Sequence, residues 1–74
     1  MTANPPVRIL EPVALLADEP DHGLARGQVG TVVELLDQAT VEVEFSDDKG
    51  VCYALLPLPF ASLLPLRFAP QEAA

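Results

Sequence analysis

Seventy-four residues allow one small domain, which buries only about 60–65% of the surface its unfolded chain exposes, so the core is small. Eleven Asp and Glu against four Lys and Arg leave a formal net charge of −7, which argues against nucleic acid and anionic membranes and favours a basic partner. A single cysteine, Cys52, excludes an internal disulfide and a Cys-based zinc site within one chain.

Residues 1–6 (MTANPP) and 69–74 (APQEAA) are weakly patterned and are read as flexible tails around a domain spanning residues 7–68. The start lacks the positive and apolar regions of a signal peptide, so a cytoplasmic location is expected. The longest apolar stretch, residues 53–58, is far shorter than a membrane span and contains Pro57.

Between the tails the hydrophobic period is two, with breaks at Pro, Gly and Asp, as in short strands. Residues 12–17 (PVALLA) predict a first strand, followed by a loop over residues 18–27. Residues 29–36 (VGTVVELL) predict a second, with Val29, Thr31, Val33 and Leu35 sharing a face, and Asp37 and Gln38 then supply a turn. Residues 40–46 (TVEVEFS) form the clearest strand, because Val41, Val43 and Phe45 alternate with Glu42 and Glu44. Asp47, Asp48, Lys49 and Gly50 spell a turn in which Gly50 takes a positive φ, and residues 51–56 return as the next strand. Two prolines in residues 57–63 are expected to stop helix and strand alike, leaving a short helical turn at residues 60–63 before a last strand at 64–68. The pattern predicts an all-β fold, a small five-stranded SH3-like barrel with a short helical turn before the last strand. An open five-stranded sheet or an OB-like arrangement shares this periodicity.

Three features invite a chemical reading. Gly27 and Gly30 stand before and inside the second strand, where they suit a sharp corner and a close backbone crossing; a dinucleotide-binding glycine loop opens a helix instead. Asp18, Glu19, Asp21 and His22 offer oxygen and imidazole donors for a divalent ion, yet their spacing matches neither an EF-hand nor a His-x-x-x-His helix, and a solvated acidic loop is the simpler account. Glu42 and Glu44 resemble a carboxylate pair, but an open sheet face supplies neither burial nor a neighbour to perturb one of them, so they read as solvated. Cys52 is expected to be a small half-buried strand residue, and His22, the sole histidine, lies in a different segment. No catalytic residue, metal site or cofactor is expected. The surplus of apolar side chains in residues 54–68 belongs mostly to the core, with Leu58, Phe60, Leu66 and Phe68 as candidates for a docking patch or homodimer contact, alongside the acidic Glu42 and Glu44.

The string GLxxGxxGTVVE at residues 23–34, VEVEF at 41–45 and DxxGxxYA at 47–54 resembles a family of small stand-alone bacterial proteins of unknown function, over about residues 9–66. That resemblance implies an SH3-like fold and a role beside another small bacterial protein, as in an antitoxin or immunity pair. Residues 24–32 (LARGQVGTV) are also similar to the SH3-like domain of nitrile hydratase β-subunits and activators, which implies, as an alternative, an accessory subunit of a metalloenzyme. The same glycine pattern recurs in KOW barrels that bind nucleic acid, but those carry basic loops and this chain's loops are acidic. Together these features predict a protein-interaction module that is not an enzyme.

Overall fold

The computed structural model describes residues 7–68, so the tails read at 1–6 and 69–74 lie outside the described residues. It contains β1 (Pro12–Leu15), β2 (Val29–Leu35), β3 (Thr40–Ser46), β4 (Cys52–Pro59) and β5 (Leu63–Pro65), with 3-10 turns at Pro20–His22 and Phe60–Ser62. The strands form one antiparallel sheet in the order β4-β3-β2-β1-β5. The all-β class, the count of five strands and the helical turn ahead of β5 agree with the sequence reading. Closure does not: no ladder joins β4 to β5, and the sheet ends in two edges.

One face of this sheet is the core. Val13, Leu15, Val32, Val41, Val43, Phe45, Leu56, Leu58 and Leu63 are buried together, joined by Val7 and Leu24 from outside the strands. Among the described residues only lone 3-10 turns accompany the strands and no helical layer covers that face, so burial there requires the sheet to curl over its own residues. Strand β3 sits in the middle of the meander and alternates perfectly: Val41, Val43 and Phe45 are fully buried while Glu42 and Glu44 point outward. Phe45 alone contributes roughly 1.5–3 kcal/mol of burial.

Strand β2 buries the face opposite the one that Val29, Thr31 and Val33 share. Gly30 and Val32 are inside, whereas Val29, Thr31 and Val33 lie on the other side. Gly30 faces inward because it has no side chain: a Cβ there would stand 2.7 Å from Val43 Cγ1 and 2.9 Å from Phe45 Cδ2, so it is the predicted close crossing. The register then shifts between Val32 and Glu34, leaving Val33 unpaired as a bulge and setting Leu35 opposite Val41. Gly27 and Gly50 have φ of 92° and 82°, as their corner and turn roles require. Asp47 closes the latter turn by accepting hydrogen bonds from the N–H groups of Lys49 at 2.8 Å and Val51 at 3.0 Å.

Strand β4 runs straight through both prolines, contrary to the sequence reading, because it is an edge strand. The Phe60 N–H donates to Ala39 O at 2.9 Å, which sets the phase: even-numbered residues of β4 turn their backbone toward β3, and Pro57 and Pro59 turn theirs toward the open side. A proline there forfeits no ladder bond. Strand β5 is also displaced toward the N-terminus from its predicted place, pairing Leu63, Leu64 and Pro65 with β1.

The connection from β1 to β2 is the long hairpin loop the sequence indicated, and it is tied down. Leu15 N–H donates to Gln28 O and Gly27 N–H to Leu15 O, Glu19 and Leu24 exchange backbone bonds, and the Leu24 side chain plugs into the core.

Candidate functional site

The outer face of β3 and β4 gathers the candidate residues. Glu44 is paired with Leu55, and Glu42 with Pro57, so all four side chains leave the sheet on the same side. Tyr53 and Leu55 are 50% and 56% exposed, and Pro57 is exposed beside them. On the β2 flank, Glu44 faces Thr31 and Glu42 faces Glu34. The five strands contain no Lys or Arg; their charged residues are Glu34, Glu42 and Glu44. The face is therefore apolar along β4 and negative along β3.

Two details show how this face is held. The Gln28 side-chain amide donates to the Tyr53 hydroxyl at 3.0 Å, fixing the ring across the end of the sheet. Glu42 is half-buried, and its Oε1 is withdrawn from solvent without a hydrogen-bond partner among the described residues. Glu11 Oε1 is in the same condition, although its Oε2 meets Arg67 at 3.4 Å.

Of the apolar candidates, Leu58 is a core residue at 3% exposure and is withdrawn as a docking residue, because its even position on β4 turns it inward. Phe60 packs partly against the core and Leu66 is half-buried. Phe68 is 86% exposed. Tyr53, Leu55 and Pro57 were missed as surface candidates. Once residues 51–56 are aligned against β3, the inward positions of β3 dictate which residues of β4 face out, and that signal was present.

The acidic loop is organised by its own backbone. Asp18 Oδ1 accepts from the Arg26 N–H at 2.8 Å, spanning the loop, and no group of three or more His, Cys, Asp or Glu among the described residues is placed to hold a metal ion. Cys52 is exposed at the start of β4 rather than half-buried, since it lies beyond the register shift near Ser46, with its thiol 3.5 Å from Ala54 O. His22 stands on the first 3-10 turn, a separate element.

The family described as Domain of unknown function (DUF4926) matches residues 9–65, which include all five strands. The chain belongs to that family. No curated protein and no solved structure matches the chain. The matched part of this DUF4926 domain includes the β3–β4 face and the glycine corner, so the motif string maps onto the sheet itself. Among the described residues no helix is long and apolar enough to cross a membrane.

Proposed function

We propose that this DUF4926 domain is a protein-interaction module with no catalytic activity of its own, and that its partner is a basic protein. One observation carries the reading: half-exposed Tyr53 and Leu55 border a strand whose outward charges are the glutamates 42 and 44, with no cation on any strand. Apolar surface flanked by charge of one sign suits a partner of the opposite sign, which it steers into place. An antitoxin-like or immunity-like role fits this description. The β4-β3-β2-β1-β5 order and the 3-10 turn entering β5 support assigning the fold to the SH3-like class, with its seam left open.

An accessory subunit of a metalloenzyme would use the same face, and the identity of the bound protein separates the two. Immobilised domain exposed to native lysate should retain a basic protein that elutes with salt and is lost when Glu42 and Glu44 are both replaced by Lys. Retention of nucleic acid alone, or retention unchanged by that reversal, contradicts the proposal.

A further inference from the structure

We infer that the partner lies across the outer face of β3 and β4 and does not add a strand to the sheet, and that the docking segment combines Lys or Arg with apolar side chains. This rests on the reading of the domain as an interaction module and specifies how that module binds.

The mode follows from the sheet edges. An incoming strand needs regularly spaced N–H and C=O groups along an open edge. On β4 the outward positions include Pro57 and Pro59, which have no N–H, so Leu55 holds the last outward donor ahead of them. On β5, Leu66 N–H donates to Pro12 O and Leu16 N–H to Ser62 O, which assigns the even positions to β1 and turns Leu63 and Pro65 outward. The Leu63 N–H is already committed to Phe60 O, and Pro65 has none to offer. Both open edges are thus poor in donors where a new strand would dock.

What remains for recognition is side-chain surface. Leu55 and Tyr53 supply apolar contact, and Glu42 and Glu44 supply acceptors one strand away. The carboxylates of Glu42 and Glu44 suit a cationic donor such as Lys or Arg, which brings its own hydrogen bonds. A second copy of this chain is a poor occupant, since the strands would bring glutamate to glutamate and each copy carries a net charge of −7.

The test uses two soluble probes on the intact protein: a short peptide alternating Lys and Leu, and the same peptide with alternate backbone nitrogens methylated. Methylation removes donors that strand addition requires and leaves the side chains in place. Followed by NMR at low salt, both forms should shift Glu42, Glu44, Tyr53 and Leu55 with comparable affinity, and the Glu42→Gln/Glu44→Gln variant should bind roughly tenfold more weakly. Binding that is lost on methylation, or shifts confined to the β5 edge or the loop at residues 18–27, would overturn face docking while leaving an interaction module intact. Absence of shifts with either peptide overturns this inference and counts against the basic-partner reading as well.

Discussion

Gly30 and Phe45 share one space across the β2–β3 ladder: a Cβ on Gly30 would stand 2.9 Å from Phe45 Cδ2 and equally close to the Glu44 carbonyl oxygen. The Phe45 ring can shift only by disturbing a fully buried core, and the carbonyl belongs to the ladder. Gly30→Ala should therefore destabilise the domain by about 1–3 kcal/mol, as overpacking does. In thermal unfolding this is a fall of roughly 5–20 °C for a domain of this size. An unchanged melting temperature would mean that the crossing is looser than described.

Leu58 and Phe68, which the sequence could not tell apart, separate sharply by burial, at 3% and 86% exposed. Leu58→Ala should cost about 2–5 kcal/mol through lost burial and the cavity left behind. Phe68→Ser should stay within about 0.5 kcal/mol of the wild type. Urea midpoints of the two variants check the contrast.

Asp37 holds the turn between β2 and β3 by accepting the Ala39 N–H at 2.8 Å, and this bond, followed by the Thr40 side chain, lowers its pKa below the ordinary 3.8. A lowered folded pKa means that the charged form is favoured by folding. The contribution is complete above the unfolded value and is lost as pH falls from there through the lower folded value. Asp37→Asn should accordingly be less stable than wild type at neutral pH, with the gap narrowing below about pH 3.8, measured by urea unfolding at several pH values.

Pro57 and Pro59 leave their stretch of the open side of β4 without N–H donors. Replacing both by Val restores two outward N–H groups to an edge strand with high β-propensity. The double variant should self-associate at high micromolar concentration in sedimentation velocity, under conditions where the wild type does not pair through this edge. A variant that sediments like the wild type would show that the prolines do not guard the edge.

The sequence made the β3 strand legible because its alternation coincides with a sheet having one dry face and one wet face. The pattern ends β4 before Pro57 because proline is excluded from central strands, and edge position depends on sheet order that no local pattern encodes. The inward face of β2 is not legible for a related reason: Gly30 is a core position identified by an absent side chain, and the Val33 bulge changes the phase midway. Glu42 and Glu44 were recognised as an outward pair, but the apolar half of the face, Tyr53 and Leu55, emerges only when β4 is placed against β3.

The most direct test of the account is the affinity of the retained basic protein for wild type and Leu55→Ser, measured by calorimetry alongside the melting temperature. Leu55 is 56% exposed on the outer face of an edge strand, so a small neutral side chain there should leave the fold nearly unchanged while removing the apolar contact. The predicted result is binding weakened by roughly tenfold or more with melting shifted by no more than a few degrees. Unaltered affinity in a folded Leu55→Ser variant would contradict the assignment of the β3–β4 face as the docking surface.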